Sequence, residues 1–355
     1  MRPVSRGPVD IQQVGRYQIL SELGRGSMGV VLLAHDPTLD RNVALKFLRP
    51  DLKLSAEERE ALMTRMRHEA RAMARISHPG IVSLFDMGEQ DGVGVYLVFE
   101  LANGPTLEET LRRGKLDPKG VAELAVQLGA ALSAAHKAGI VHRDIKPANI
   151  ILTEFGARIA DFGVARLPES TLTRAGAKVG TPAYSAPESI RHGSHSASTD
   201  QFSMAATLYE ALSGRRAYPG DEAVVVARKI ETETPFGIAQ GLGLSPSVDR
   251  VLLRGMSQSP SDRYPSCHAF GEALERALGS TRIPQATLPD QRRSPPNRAL
   301  PPWLLGTSLL ILLIGATVGA GLAKWLAGEP PDETQVDAAP SAPRPAYITR
   351  TSAKK

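Results

Sequence analysis

Between residues 144 and 161 the chain gathers two carboxylates, an ammonium and an amide: Val141-His142-Arg143-Asp144-Ile145-Lys146-Pro147-Ala148-Asn149, then Ala160-Asp161-Phe162-Gly163. These residue types at this spacing suit movement of a phosphoryl group. Asp144 can orient an attacking hydroxyl and accept its proton, and the Lys146 ammonium can neutralise the moving group. The Asn149 amide and the Asp161 carboxylate can hold Mg²⁺ against phosphates, since that cation prefers hard oxygen ligands. Such groups work only from a rigid base. Ile150-Ile151-Leu152 and Ala157-Arg158-Ile159-Ala160 read as two short strands joined by a turn at Glu154-Phe155-Gly156, a hairpin with apolar strands and polar ends. The plain alternative is polar loops beside buried strands, with no chemistry.

Upstream elements must bring further groups to this base. Tyr17 to Leu23 and Gly29 to His35 read as strands around Gly24-Arg25-Gly26-Ser27-Met28-Gly29. In a dinucleotide-binding fold such glycines open a helix. Here Val30-Val31-Leu32-Leu33 continues as β-branched and apolar residues, so the loop caps a hairpin whose backbone N–H groups can approach phosphate oxygens. Val43 to Leu48 is a third strand with Lys46 among apolar neighbours, where a plain reading makes it an edge gatekeeper. Ser55-Ala56-Glu57-Glu58 has the form of a capping box opening a helix to about Arg75. Leu62, Met66 and Met73 share one face of that helix with Glu69. A carboxylate on a buried stripe needs a cation, and Lys46 is the expected partner. Arg65, Arg67, Arg71 and Arg75 form a solvated face. Strands follow at Val82 to Met87 and Val95 to Glu100, then a linker from Leu101 to Gly104 and a helical half. In that half Ala122 to Ala138 is an apolar helix whose His136 reads as structural, and Asp200 reads as the acid at the start of a helix through Leu212.

Composition narrows the class. The chain has 355 residues, more than one core usually holds, and 42% hydrophobic content supports a globular body. Its formal charge of +5, from 42 basic against 37 acidic residues, gives no reason to invoke nucleic acid. The single Cys267 excludes an internal disulfide, fits a reducing compartment and reads as a small buried residue. The N-terminus lacks the apolar run of a secretory signal. One stretch stands apart: Trp303 to Ala323 is 21 residues without a charge, bordered by Trp303 and Trp325. As a helix it spans about 31 Å, close to the hydrocarbon thickness of a bilayer. Arg282, Arg292, Arg293 and Arg298 precede it, and Glu329, Asp332, Glu333 and Asp337 follow, which puts residues 1–302 on the cytoplasmic side. A buried helix is the alternative.

The ordered set His-Arg-Asp, Lys-Pro-x-Asn and Asp-Phe-Gly, behind a glycine hairpin, Lys46 and Glu69, resembles the protein kinases, and in particular the membrane-anchored bacterial eukaryotic-like serine/threonine kinases. The resemblance runs from about Tyr17 to Leu278. It implies an α+β bilobal fold, a β-rich N-lobe and a helical C-lobe, followed by one C-terminal transmembrane helix. The expected organisation is a tail at 1–16, a kinase domain at 17–278, a Pro- and Arg-containing linker at 279–302, the span at 303–323 and a short outer tail at 324–355. The implied cofactors are ATP and Mg²⁺. Leu23, Gly24, Gly26, Gly29, Val31, Ala44 and Ile151 would surround the nucleotide, and Lys46 with Glu69 would hold its α- and β-phosphates. Phe99 would back the adenine pocket, with Glu100 to Ala102 as the hinge whose backbone meets the adenine edge. Asn149 and Asp161 would carry the metal, with Asp144 and Lys146 as catalytic groups. Thr181, in Gly180-Thr181-Pro182-Ala183-Tyr184, resembles the family threonine that hydrogen-bonds Asp144 and Lys146. Lys146 with Pro147 and Asn149 goes, in the family, with serine/threonine substrates. Asp200 would anchor the catalytic-loop backbone, and Glu188 would pair with Arg263. The segment between Asp161 and Glu188 contains Ser170, Thr171 and Thr173, and Arg143 could receive a phosphate there, so autophosphorylation at Thr171 or Thr173, through a dimer, is expected. One departure is Ser203-Met204-Ala205 in place of the commoner Ser-Leu-Gly. Two alternatives stay open: a catalytically silent scaffold with the same fold, and a small-molecule phosphotransferase, which shares the Asp/Asn/Asp set but lacks the docking platform that Gly180 to Glu188 resembles.

Overall fold

The computed structural model describes residues 12–26, 29–48, 56–90, 94–162 and 182–279, all within the unit Met1–Gln285. The N-terminal lobe is an antiparallel sheet of β1 (Gln13–Val14), β2 (Tyr17–Gly26), β3 (Gly29–Asp36), β4 (Arg41–Leu48), β5 (Leu84–Gln90) and β6 (Gly94–Glu100), in the order β1-β2-β3-β4-β6-β5. Strand alternation sorts its residues onto two faces. Val14, Tyr17, Leu32, Ala34, Val43, Leu45, Phe47, Tyr96 and Val98 close a small core of their own. Val95, Leu97 and Phe99, on the opposite face, join the main core with Met63, Met66, Ala70 and Met73 of α1 (Ala56–Met73). β1 was not foreseen, because two residues carry no periodicity. β2 runs on past Leu23 and pairs Gly26 with Gly29, so the glycines lie in a hairpin and open no helix.

The second lobe is helical: α2 (Leu107–Leu111), α3 (Pro118–Lys137), α4 (Pro187–His192), α5 (Ala197–Ser213), α6 (Ala223–Thr232), α7 (Pro246–Gly255) and α8 (Cys267–Gly279). Asp117 caps α3 by accepting from the Gly120 N–H at 2.6 Å, with Pro118 at the first helical position. α3 and α8 cross at glycine contacts: a Cβ on Gly129 would lie 2.7 Å from the Cys267 carbonyl oxygen, and one on Gly271 would lie 2.4 Å from that of Ala125. Between α3 and the sheet lies a two-stranded hairpin, β7 (Ile150–Thr153) and β8 (Gly156–Ile159), matching the hairpin expected from the sequence.

α5 is buried at every position from Thr199 to Leu212 except Glu210, its polar residues included. It begins three residues before the expected Asp200, with Ser196 as its cap residue. Asp200 therefore lies in the first turn of the helix, as the helix-start reading has it. The Ala205 methyl, the departure noted in the sequence, packs where α7 offers a glycine: a Cβ on Gly255 would stand 2.9 Å from Ala205 Cβ and 2.8 Å from Phe270 Cε2. Among the described residues no helix is long and apolar enough to cross a membrane. The run 303–323, expected to do so, lies outside them, as do the linker and the outer tail.

Candidate active site

The site is built on a backbone that would not hold its shape unaided. Arg143 (φ +70°) and Asp161 (φ +61°) both occupy the left-handed region, which costs a non-glycine residue about 1–3 kcal/mol unless its surroundings enforce it. For Arg143 the enforcement comes from Asp200, which is 1% exposed. Its Oδ1 accepts from the Arg143 N–H and its Oδ2 from the His142 N–H, each at 2.8 Å. His136 Nε2 meets the same Oδ2 at 2.8 Å, so His136 is part of the anchor for the loop. The family expectation for Asp200 describes this contact, and its place in the first turn of α5 agrees with the helix-start reading as well.

His142 links the two halves of the site. Its Nδ1 accepts from the Asp144 N–H at 3.1 Å, so the ring proton is on Nε2, which donates to the Ala160 carbonyl at 2.9 Å. Burial holds this imidazole below its ordinary pKa of 6.5, in the neutral form that these bonds require. One ring thus fixes Asp144 and the residue preceding Asp161, with Phe162 packed edge-on at 4.5 Å between centroids. Asn149 adds a second link. Its backbone carbonyl accepts from the Ala160 N–H at 2.9 Å, and its Nδ2 donates to the Asp144 carbonyl oxygen at 2.8 Å and to Oδ2 at 3.0 Å. With the amide nitrogen so engaged, Oδ1 is the atom left for a cation. Lys146 Nζ lies 2.8 Å from Asp144 Oδ2.

The sheet supplies the opposite wall. Its register runs Gly24, Val31, Lys46 and Leu97 across four adjacent strands, and Ala44 pairs with Phe99. Lys46 is therefore held beneath the glycine hairpin, with Ala44 on the same face. Leu23 is half-exposed near the tip. Gly29 adopts φ +154°, where a side chain would be strained. Lys46 Nζ reaches Asp161 Oδ1 at 2.8 Å. Here the structure corrects the sequence reading: Glu69 of α1 takes Arg143, with Nη1 to Oε1 at 3.3 Å, in place of Lys46. Met66 and Met73 of the expected stripe are buried and Glu69 is partly buried beside them, but the cation that Glu69 meets comes from the catalytic loop. With both backbones left-handed, the Asp161 carboxylate reaches the sheet and the Arg143 guanidinium reaches α1. Below the hinge, Ile151 lies on β7, whose next residue Leu152 donates its N–H to the Pro105 carbonyl at 2.9 Å. Phe99 is buried in the main core, and the Glu100 N–H donates to the Ser83 carbonyl at 2.9 Å. Ala102 follows, partly buried against that core.

Thr181, Ser170, Thr171 and Thr173 lie outside the described residues. Just beyond them the expected pair is present: Arg263, 2% exposed, grips Glu188 through two parallel bonds of 2.7 and 2.8 Å. Two contacts had no counterpart in the sequence reading. Tyr184 donates its hydroxyl to Glu210. Arg158 of β8 pairs with Glu100; its only signal was a charge within an otherwise apolar strand. Among the described residues no cluster of three or more His, Cys, Asp or Glu side chains forms another metal site.

Comparison with known proteins bears on this geometry. The model of the protein kinase domain matches residues 17–271. The chain is 34% identical over 288 residues to the serine/threonine-protein kinase PknL of Mycobacterium tuberculosis, covering 80% of this chain and 71% of the relative. It is 37% identical over 300 residues to PknA of the same organism, covering 82% and 67%. Against PrkC of Bacillus subtilis it is 35% identical over 291 residues, 81% of this chain but 44% of that longer protein. Among solved structures, Rad53 residues 1–466 in complex with AMP-PNP aligns with a TM-score of 0.60 at 23% identity, covering 73% of this chain and 65% of that one, a likeness of fold. Two lobes, the matched domain and relatives named for one activity agree: this chain belongs to the protein kinase family and is a serine/threonine protein kinase.

Proposed function

We propose that this kinase binds ATP between the glycine hairpin and the β7–β8 hairpin and transfers its γ-phosphoryl group to serine and threonine hydroxyls of proteins, its own activation segment among them. The observation that carries the reading is the shared frame of Asp144, Asn149 and Asp161 around His142, with Lys46 of the other lobe 2.8 Å from Asp161. Asp144 orients the acceptor hydroxyl and takes up its proton, while Lys146, already against Asp144, offers positive charge to the transferring group. Lys46 turns to the nucleotide phosphates, and the backbone of Glu100 to Ala102 meets the adenine edge. Asp161 and Asn149 Oδ1 suit Mg²⁺, which when bound neutralises charge on the phosphates. Autophosphorylation at Thr171 or Thr173 would draw Arg143 toward the phosphate. We also assign 303–323 to a cell-membrane span with the kinase domain cytoplasmic, a reading supported by its uncharged length and flanking charges.

The deciding experiment incubates the full chain with γ-labelled ATP, Mg²⁺ and a mixed Ser/Thr/Tyr peptide set, beside Asp144→Asn, and maps the phosphosites. Label on Ser or Thr, lost in the variant, is expected. Label on Tyr only, or retained by the variant, defeats the assignment. Carbonate extraction of membranes tests the span: release of the chain into the wash would remove it.

A further inference from the structure

A bound ATP molecule touches the hinge with its adenine edge and the metal-binding carboxylate through its phosphates, so the separation of those two protein groups decides how well one nucleotide conformation satisfies both. In this chain the two are joined by more than backbone. Arg158 lies three residues before Asp161 on β8, and its Nη1 pairs with Oε1 of Glu100, the first hinge residue. The other Glu100 oxygen accepts from the Ser83 N–H at 3.4 Å. Both side chains are half-buried, at 20% and 30% exposure. β8 is also fixed to the segment preceding Ser83: the Ile159 N–H donates to the Gly80 carbonyl at 2.8 Å, and the Ile159 carbonyl accepts from the Val82 N–H at 3.0 Å. The path from Asp161 through Arg158 to Glu100, and back through Ser83 and Val82 to Ile159, is a closed ring of bonds. Arg158–Glu100 is its one link made by two side chains. Strand alternation puts Arg158 on the face opposite the buried Ala157 and Ile159.

We propose that Arg158, acting through Glu100, is a positioning residue for the nucleotide: it sets the separation between hinge and Asp161 and so governs ATP affinity in preference to peptide affinity. The inference rests on the reading of this cleft as the ATP site. Losing one half-buried, charged hydrogen bond should raise KM for ATP about three- to tenfold. The test uses the full chain with Arg158→Ala, Arg158→Lys, Glu100→Gln and the swapped pair Arg158→Glu with Glu100→Arg. Initial rates are measured against ATP at saturating peptide, and against peptide at saturating ATP.

Arg158→Ala is expected to raise KM for ATP while KM for peptide stays put. Arg158→Lys should keep near-native values, and the swapped pair should lie closer to wild type than either of its single changes. If Arg158→Ala does not fold, Glu100→Gln, which keeps the shape and removes the charge, must show the same split. Equal rises in both constants, or an unmoved KM for ATP, overturn the inference while leaving the ATP reading intact. A wild-type chain whose transfer does not saturate with ATP overturns both.

Discussion

Replacing Asp200 should separate what holds the catalytic loop from what binds nucleotide. The native carboxylate serves three donors: the N–H groups of His142 and Arg143 and the His136 ring. Alanine would leave two buried backbone donors without acceptors, at about 1–3 kcal/mol each. That total, roughly 2–6 kcal/mol, approaches the whole stability of many domains, so Asp200→Ala is expected to accumulate poorly. Asparagine keeps the shape but has one acceptor oxygen and turns an NH₂ toward the remaining donors. Its cost should be about 2–3 kcal/mol, one orphaned donor plus donor–donor repulsion. The functional consequence follows from Arg143, whose left-handed backbone loses its enforcement and relaxes, carrying Asp144 with it. A displacement of about 1 Å at a reacting group lowers rate on the order of 100-fold. Lys46 and the hinge are untouched, so equilibrium nucleotide binding should change less than threefold, under about 0.7 kcal/mol. The assay pairs urea unfolding with kcat on a serine peptide, run well below the melting temperature of the variant, and with nucleotide binding by calorimetry. A variant that loses the expected stability yet keeps native kcat would show that Asp200 supports the fold without positioning the base.

Acid should destabilise the protein through His142 before the carboxylates titrate. Its folded pKa is depressed below 6.5 by burial, so the unfolded chain takes up a proton that the native state refuses. The stability is complete above pH 6.5 and falls below it by up to about 1.4 kcal/mol per pH unit. His78, depressed for the same reason, adds in the same direction. Urea midpoints at pH 7.5 and 5.5 test this, and a flat profile contradicts it. Gly255→Ala should cost about 1–3 kcal/mol, because its methyl would overlap Ala205 and Phe270. Adding Ala205→Gly should recover part of the loss in urea unfolding; no recovery would mean the two methyls do not share that space. Tyr218 is 2% exposed and its hydroxyl has no partner among the described residues. Tyr218→Phe is therefore expected to be neutral, or stabilising by about 1 kcal/mol, in thermal melts, and a clear loss would reveal a bond to that oxygen.

Which parts of this site were legible in the sequence follows from how far apart the interacting residues lie. Asp144, Lys146, Asn149 and Asp161 flank one hairpin, and β-branched and apolar residues on both sides of a turn specify that hairpin locally. The glycine hairpin was readable for the same reason: Val30 to Leu33 favour a strand over a helix. The groups that hold these residues in place come from elsewhere. His136 and His142 reach Asp200 across 64 and 58 residues, Arg158 reaches Glu100 across 58, and Glu69 reaches Arg143 across 74. Periodicity could assign Glu69 to a buried stripe, but the cation it meets depends on backbone angles at Arg143 and Asp161 that no residue type announces. α5 begins three residues ahead of Asp200 because Ser196 and Thr199 close a capping box there, which makes Ala197-Ser198-Thr199 helical despite a loop-like composition. Local pattern thus names the groups that do the chemistry, and tertiary contacts decide their geometry. Lesions at the distant anchors should accordingly appear as lost kcat or shifted KM in a folded protein, even though none of those anchors touches the transferred phosphoryl group.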